Sequence, residues 1–343
     1  MAPRVKQAVV LVGGKGTRLL PLTLTRPKPA MPVLDKPFIK YLIGSLASAG
    51  VREVIMACGY KSDLLAAAVG DGSDMGVEIV YSDEQSPMGT GGALKLLEDR
   101  LDPVFAAANG DTLTSVDFSA MAEAHFSSGA AATVSLSKVD DPSRYGVVRV
   151  GKDGRITEFQ DKPRPGEEIS DLVNTGVYIA QRRVLEYVPP RTFFDFSKDL
   201  FPLLLSRGEK LTGHVSAGPW TDIGVPADLI RLNLEMAGRT HQSPGWEDRI
   251  AGSRISGRFY IGEEAIMRCS EACESVISKG CIINDSYISG TLLMKGCRAD
   301  GARIERSVIG EGCALGRGCI VSDAVLGDGT VVGENEKVTG RSE

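Results

Sequence analysis

The chain has 343 residues, enough for two domains, and its 43% hydrophobic and 24% charged residues are typical of a globular protein. Its net charge of −5, without a basic run, lacks the phosphate-neutralising surface of a nucleic-acid-binding protein, so we expect no nucleic-acid partner. No apolar stretch approaches the roughly 20 residues of a membrane span, and the start of the chain carries no signal-peptide pattern. Seven cysteines, an odd number, fit a reducing compartment better than a disulfide framework. Together with the missing span, they lead us to expect a cytoplasmic protein with no membrane partner.

The first part of the chain alternates apolar strands with segments of helical spacing. Glycines bound several of these segments, as expected where a strand or helix ends. The predicted strands are 8–12, 54–57, 77–81 and 104–108, and the predicted helices are 37–49, 62–69 and 93–101. Repeated β–α units predict a sheet wound on both faces, with ligands beyond the carboxyl ends of its strands.

From residue 133 the pattern changes to paired strands. Lys152-Asp153-Gly154 is a hairpin turn between predicted strands at 147–150 and 156–159. The remaining elements predicted before residue 240 are strands at 173–180 and 211–215 and a helix at 228–237.

A repeat follows a predicted linker at 238–245. The pairs Gly280-Cys281, Gly296-Cys297 and Gly312-Cys313 recur at about 16 or 17 residues, and Ile309, Leu315 and Val321 are six apart. Hexapeptide periodicity predicts a parallel β-helix with three short strands per coil, although coils near 250–275 are irregular. We therefore predict two domains, 1–240 and 241–343.

The turn after the first strand is the most informative segment. Gly13, Gly14 and Gly16 would let backbone N–H groups approach phosphate oxygens, and Arg18 and Lys28 would neutralise a triphosphate and leaving pyrophosphate. The spacing fits neither the P-loop nor the dinucleotide fingerprint. It predicts a nucleoside triphosphate site.

A series of short motifs follows along the chain, at segments 11–19, 21–23, 27–29, 89–92, 109–111, 143–146, 161–163, 174–176 and 220–224. As a set and in this order, they resemble the sugar-1-phosphate nucleotidyltransferases over about the first 235 residues. Two positions depart from that family: Leu20 replaces a second arginine, and Ser86 stands where a glutamate is common.

The resemblance implies a Rossmann-like, doubly wound mixed α/β sheet followed by a left-handed parallel β-helix. It is greatest to mannose-1-phosphate guanylyltransferases, which implies GTP and mannose 1-phosphate as substrates and GDP-mannose and pyrophosphate as products. A dTTP- or UTP-dependent glucose-1-phosphate enzyme and a non-catalytic regulatory subunit remain open. A nucleotide-sugar glycosyltransferase would leave Arg18 and the Pro-Lys-Pro element unexplained.

The reaction needs no general base, because the attacking phosphate oxygen is already ionised near neutral pH. Catalysis is then positioning and charge stabilisation, with Arg18, Lys28 and Asp111 as catalytic candidates. Asp111 and Asp222 are hard oxygen ligands suited to Mg²⁺. The resemblance implies nucleotide binding by Leu11, Gly13, Gly14, Gly16, Thr17, Gly89 and Thr90, and sugar-phosphate binding by Gly146, Asp161, Lys162 and Asn174.

The histidines and repeat cysteines suggest no further chemistry. His125 is expected on the surface, and Cys281, Cys297 and Cys313 are expected to stack inside the β-helix rather than to bind zinc. No histidine follows His241, which argues against the imidazole-dependent acetyl transfer of many hexapeptide-repeat proteins. The β-helix is instead expected to assemble a homo-oligomer.

Overall fold

The computed structural model describes residues 4–59, 61–84, 86–218, 220–242 and 244–341. The predicted linker at 238–245 includes Ser243, which lies outside these ranges. The chain divides into two units, the first formed by Met1–Gly14 with Ile39–Thr221 and the second by Lys15–Phe38 with Asp222–Glu343.

Strands and helices alternate over most of the chain before the repeat. In order, they are β1 (Gln7–Val12), β2 (Pro32–Val33), β3 (Lys36–Pro37), α1 (Ile39–Ser48), β4 (Glu53–Cys58), α2 (Ser62–Val69), β5 (Glu78–Asp83), α3 (Gly89–Leu96), β6 (Val104–Asn109), β7 (Thr112–Thr114), α4 (Phe118–Ser128), β8 (Ala132–Lys138), β9 (Gly146–Val150), β10 (Ile156–Asp161), β11 (Leu172–Gln181), α5 (Phe201–Ser206), β12 (Leu211–Val215), β13 (Trp220–Asp222) and α6 (Pro226–Ala237).

A mixed sheet forms the centre of the first unit. Its main strand order is β10-β9-β11-β6-β1-β4-β5, and β8 and β12 extend it from β11. Strands β6, β1, β4 and β5 are parallel, whereas β11 runs antiparallel to β6. The parallel strands are almost continuously apolar because both faces are covered, and Ala8, Val9 and Val10 are buried.

The helix predicted at 93–101 lies earlier in the chain than expected. Helix α3 begins at Gly89 and ends at Leu96, with a separate 3₁₀ turn at Glu98–Arg100. Its first turn contains three glycines, which have low helix propensity, but the carbonyl of Phe194 accepts hydrogen bonds from Gly91 N and Gly92 N. A distant residue thus supports a helix start that local propensity disfavours.

The strands of the repeat form a parallel β-helix. They are β14 (Arg254–Ile261), β15 (Ile266–Arg268), β16 (Glu271–Ile277), β17 (Ile282–Asn284), β18 (Tyr287–Ser289), β19 (Leu292–Leu293), β20 (Arg298–Asp300), β21 (Arg303–Glu305), β22 (Val308–Ile309), β23 (Ala314–Leu315), β24 (Ile320–Leu326), β25 (Val331–Val332) and β26 (Lys337–Arg341).

Successive coils of this β-helix align residues at the predicted spacing. Ile282 pairs with Arg298, 16 residues later, and Ala314 pairs with Val331, 17 residues later. The predicted inward residues are buried, which confirms the interpretation of the repeat; they are Cys281, Cys297, Cys313, Ile309, Leu315 and Val321. The irregularity expected near 250–275 corresponds to a register shift between β14 and β16.

None of the helices in the described ranges combines the length and the apolar character that a membrane crossing requires.

Candidate functional site

The ends of strands β1 and β6 meet in the first unit. Leu11 pairs with Asn109, and the amide of Gly110 donates a hydrogen bond to the carbonyl of Leu11 (2.9 Å). A Cβ atom on residue 110 would lie 2.4 Å from Cγ1 of Val12, so only glycine fits this approach. Asp111 follows one of these strand ends and the glycine-rich turn follows the other.

Two glycines of the turn have open space at their Cβ positions. Cβ atoms on Gly13 and Gly14 would meet no described atom within 4 Å, so protein packing does not explain the choice of glycine there. Gly59 packs against the turn, since a Cβ on it would lie 3.2 Å from the Cα of Gly13. Gly59 was not among the residues predicted from the sequence; its signal is a glycine directly after a buried parallel strand.

Gly89 and Thr90 form the start of α3 and hold the segment around residue 195. Gly89 has a φ of +72°, and its Cβ position lies 2.6 Å from the carbonyl oxygen of Phe194. The hydroxyl of Thr90 donates to Oδ2 of Asp195 (3.1 Å) and accepts the amide of Phe196 (2.8 Å). These contacts occupy the Thr90 hydroxyl within the protein.

A carboxylate lies two residues before Ser86. Oε2 of Glu84 accepts a long hydrogen bond from the amide of Met88 (3.4 Å), and burial raises the pKa of this carboxyl group. Ser86 is exposed. The absence of glutamate at position 86 therefore does not leave this stretch without a carboxylate.

Three of the sugar-phosphate candidates lie on adjoining strands of the first unit, and the fourth, Lys162, directly follows β10. Gly146 in β9 pairs with Asp161 in β10, and the Cβ position of Gly146 is 4.0 Å from Cβ of Asn174 in β11. Lys162 has a φ of +46°, and its amide donates to the carbonyl of Tyr145 (3.0 Å). The structure thus brings these candidates together.

Side chains around this group fix Asn174 and Asp161. Asn174 donates through Nδ2 to the hydroxyls of Tyr178 (3.0 Å) and Ser197 (2.9 Å), and burial raises the pKa of Tyr178 to about 12. Nζ of Lys198 lies 3.2 Å from Oδ2 of Asp161. Lys198, which the sequence analysis missed, adds a cation beside the predicted sugar-phosphate residues.

In the second unit, the residues after Gly16 fold tightly. Gly16 has a φ of +64° and begins a 3₁₀ turn at Thr17–Leu19. The Thr23 hydroxyl donates to the Gly16 carbonyl (3.1 Å), and Cβ of Lys28 lies 3.2 Å from the Cβ position of Gly16. Lys28 is only 8% exposed, so its stem is enclosed and its ammonium position restricted.

Arg18 and Asp222 flank Gly224, also in the second unit. Nη1 of Arg18 and Oδ2 of Asp222 lie 3.5 and 3.6 Å from the Cβ position of Gly224. Oδ2 of Asp228, at the start of α6, accepts the amides of Gly224 and Val225 (3.0 Å each). Asp228 therefore fixes the turn that follows Asp222, a role the sequence analysis did not assign.

The donor set for a metal is sparse. Within the described ranges, no group of three or more His, Cys, Asp and Glu residues is placed to hold a metal ion. Asp111 and Asp222 remain candidates as single carboxylates, one in each unit. Such a set suits a cation that takes most of its ligands from phosphate and water, as Mg²⁺ does.

The predicted site residues divide between the units. The first contains Leu11, Gly13, Gly14, Gly89, Thr90, Asp111, Gly146, Asp161, Lys162 and Asn174, and the second contains Gly16, Thr17, Arg18, Lys28 and Asp222.

Comparison with known families decides the class. A family model described as nucleotidyl transferase matches residues 7–238. The chain belongs to the nucleotidyl transferase family. A second model, the GlmU-like C-terminal hexapeptide, matches residues 257–342 of this nucleotidyl transferase. Members of the family generally use a divalent metal.

Individual relatives agree with this assignment. A Mycobacterium tuberculosis protein named mannose-1-phosphate guanylyltransferase is 34% identical over 94% of this chain and 84% of its own length. A Bacillus anthracis structure described as a glucose-1-phosphate thymidylyltransferase has a TM-score of 0.62 at 28% identity, covering 69% of this chain and 97% of that one. HddC from Yersinia pseudotuberculosis, complexed with GMP-PN, has a TM-score of 0.59 at 27% identity, covering 68% of this chain and 100% of that one.

His125 of this nucleotidyl transferase is not on the surface, so that prediction was wrong. It is 1% exposed, and its Nδ1 lies 2.9 Å from the hydroxyl of Thr133. Helix α4 packs against β8, β11 and β12, which places this histidine in the interior. Burial lowers the pKa of His125 to about 4, so it is neutral near pH 7.

Proposed function

We propose that this nucleotidyl transferase moves a guanylyl group from GTP to mannose 1-phosphate, giving GDP-mannose and pyrophosphate. The observation that carries the reaction type is the joining of the β1 and β6 ends by Gly110, which sets the glycine-rich turn beside the strand end that leads to Asp111. The choice of substrates is supported by the near full-length similarity to a protein named mannose-1-phosphate guanylyltransferase.

In this reaction the protein mainly has to position the two substrates and offset their negative charge. A sugar 1-phosphate is ionised near pH 7 and can attack the α-phosphorus directly, so its main obstacle is repulsion from the triphosphate. In this proposal Arg18 and Lys28 neutralise the triphosphate and the leaving pyrophosphate. The restricted ammonium of Lys28, held by an enclosed stem, supports a fixed charge at that point.

The nucleotide is assigned to two segments. The backbone of Leu11, Gly13, Gly14, Gly16 and Thr17 would approach the nucleotide, which is supported by the open space at the Cβ positions of Gly13 and Gly14. Gly89 and Thr90 would face the base and ribose. Because the Thr90 hydroxyl already bonds Asp195 and Phe196, its part would come from backbone and methyl contacts.

The sugar phosphate is assigned to the strands of the first unit. Lys162 would bind the phosphate, while Asp161, Asn174 and Gly146 would line the sugar. Support comes from the adjacency of Gly146, Asp161 and Asn174 on β9, β10 and β11, with Lys162 directly after β10.

The metal is assigned to Asp111 and Asp222, with Mg²⁺ as the ion. Two carboxylates fit a cation that prefers oxygen ligands and keeps several waters and phosphate oxygens. When bound, such an ion would offset charge on the triphosphate.

A second pairing has its own support. The structural similarity to a protein described as a glucose-1-phosphate thymidylyltransferase favours dTTP with glucose 1-phosphate, and UTP with the same sugar phosphate is the related alternative. The test is a matrix of GTP, dTTP, UTP, ATP and CTP against mannose and glucose 1-phosphates with Mg²⁺, scored by pyrophosphate release. Turnover greatest with GTP and mannose 1-phosphate is expected. Greater turnover with dTTP or UTP overturns the substrates, and no turnover with nucleotide-sugar binding favours a non-catalytic regulatory subunit.

Assembly and location are also proposals. We assign homo-oligomer formation to the β-helix, and static light scattering of the full chain would contradict this by giving the mass of one chain. A cytoplasmic location is supported by the seven cysteines, all of which are free thiols.

A further inference from the structure

A single arginine joins the segment that carries Arg18 and Lys28 to the β-helix. Within the second unit, Nη1 of Arg26 lies 2.5 Å from Oε1 of Glu311, and Nη2 pairs with Oδ2 of Asp328. The Arg26 side chain is 14% exposed and that of Asp328 is 18% exposed. The guanidinium is therefore held between two carboxylates with little access to water.

The same carboxylates are fixed by other contacts. Oδ1 of Asp328 accepts the amide of Glu311 (2.8 Å), and Oδ2 accepts the hydroxyl of Thr25 (2.6 Å). The Pro21 ring also lies next to Gly327, whose Cβ position is 3.4 Å from it. Asp328 is thus the fixed acceptor for Arg26, and Glu311 is its more exposed partner.

A second anchor lies further along the segment. The Asp35 carboxylate accepts the amide of Lys279 (3.0 and 3.1 Å), and its Oδ2 lies 2.5 Å from the Cβ position of Gly262. Asn233 of α6 accepts the amide of Leu34 (3.0 Å). The stretch between the Arg26 and Asp35 anchors includes Lys28.

Short contacts continue from Arg26 to the candidate catalytic groups. Pro27 separates Arg26 from Lys28 and restricts the backbone between them. Lys28 packs on Gly16, whose carbonyl is held by Thr23. Moving Arg26 would therefore shift Lys28 and the turn that contains Arg18.

Arg26, Glu311 and Asp328 form a triad of charges whose cost of desolvation favours a geometric role over a stabilising one. Arg26 and Asp328 are largely removed from water, which is costly, whereas the Glu311 side chain is 41% exposed. Apolar residues of similar size often stabilise a protein as much as buried charges do. A planar guanidinium that bridges Glu311 and Asp328 does, however, fix orientation better than apolar contacts.

We propose that Arg26 is a positioning residue for nucleotidyl transfer: Glu311 and Asp328 of the β-helix hold it so that Lys28 and Arg18 face the triphosphate. The inference rests on the proposed function, which assigns those two cations to the triphosphate. The β-helix, in this view, contributes to catalysis from outside the nucleotidyl transferase match.

The test compares R26M with the paired variant E311Q/D328N in the full-length protein. Both should lower kcat/KM for the nucleoside triphosphate by about tenfold or more, while KM for the sugar 1-phosphate stays within about twofold. Both variants break the same set of contacts. The combined variant R26M/E311Q/D328N should therefore lose no more kcat/KM than R26M alone. Arg26→Lys, which keeps the charge, should recover part of the loss.

The matched control is R306M. Arg306 also makes two charged hydrogen bonds on the β-helix, both to Asp323 (2.7 and 2.6 Å), but these two side chains are exposed. This control should keep wild-type kinetics. If R26M and E311Q/D328N match R306M in kcat/KM, the positioning role is overturned. If R26M does not fold, the paired variant alone decides, since Asn at position 328 retains an acceptor for Glu311 N.

Lys28→Ala separates this inference from the proposed function. An inactive Lys28→Ala with a fully active R26M overturns only the role of Arg26. A fully active Lys28→Ala overturns the role proposed for Lys28, and the inference with it.

Discussion

The amide of Gly110 donates to the carbonyl of Leu11 across 2.9 Å, and this contact joins two strand ends that are nearly 100 residues apart in the chain. The Cβ position of Gly110 is 2.4 Å from a Val12 methyl group. The position of Asp111 relative to the glycine-rich turn therefore depends on a missing side chain.

Gly110→Ala should separate these strand ends. We expect a loss of about 1–3 kcal/mol in the free energy of unfolding, as for overpacked interiors, with a fall of at least tenfold in kcat. Urea unfolding and pyrophosphate release measure the two effects. The control is Gly44→Ala in α1, where the new Cβ meets no described atom within 4 Å and stability should stay equal or rise. Equal kinetics in the two variants would contradict the argument.

Asp111→Asn should abolish pyrophosphate release while the fold survives. The amide has the shape of the carboxylate but lacks the charge that a divalent cation needs, so we expect a fall in kcat of about 100-fold or more. A coupled phosphate assay measures the rate, and circular dichroism checks the fold. Asp74→Asn, at an exposed carboxylate paired with Lys40, is the control and should be unaffected. A near-wild-type rate for Asp111→Asn would refute its role.

Acid should destabilise the first unit through His125. Its pKa is lowered to about 4 by burial, below its ordinary value, so the unfolded chain binds a proton that the folded chain excludes. Stability is therefore lost as the pH falls from about 6.5 to about 4, by about 3 kcal/mol in total. Urea unfolding at pH 7 and pH 4.5 should show a smaller loss for His125→Gln than for wild type. His241→Gln, at an exposed position, should retain the full loss; an identical loss in both variants would count against burial as the cause.

Thiol labelling should distinguish one cysteine in the native protein. Cys269 is exposed and Cys273 is half-buried, whereas the other five are buried, and burial raises the pKa of Cys58 to about 12. With Ellman's reagent, we expect one rapid thiol, one slower thiol and five that react only after unfolding. Cys269→Ser should remove the rapid phase. Rapid labelling of three or more native thiols would contradict the burial of the β-helix cysteines.

The local sequence pattern was sufficient to predict the elements that form from apolar runs or regular spacing. Strands β1 and β6 were predicted because both are unbroken apolar runs that end at glycine or asparagine. The β-helix was predicted because its inward residues recur at the coil spacing. The helix predicted at 93–101 was misplaced because the true start of α3 depends on a distant contact. Its glycine-rich first turn is supported by Phe194, about a hundred residues away.

The candidate site shows the same division. The glycine-rich turn, Asp111 and the paired Gly146 and Asp161 could be located from motifs and strand ends. The contacts of Thr90 with Asp195, and of Asp228 with the turn after Asp222, could not, because they depend on side-chain direction after folding. His125 was misjudged because a helix face cannot be oriented without the sheet against which it packs.

The pairing of Arg26 with Asp328 also has a consequence for biosynthesis. On the ribosome, the N-terminal segment emerges early, but its partner is made about 300 residues later. Until residue 328 has been translated, Arg26 lacks one of its two carboxylates. The ribosome thus completes the whole segment that matches the nucleotidyl transferase family before Arg26 can pair with Asp328. One of the last coils to be made completes the contacts of one of the first loops.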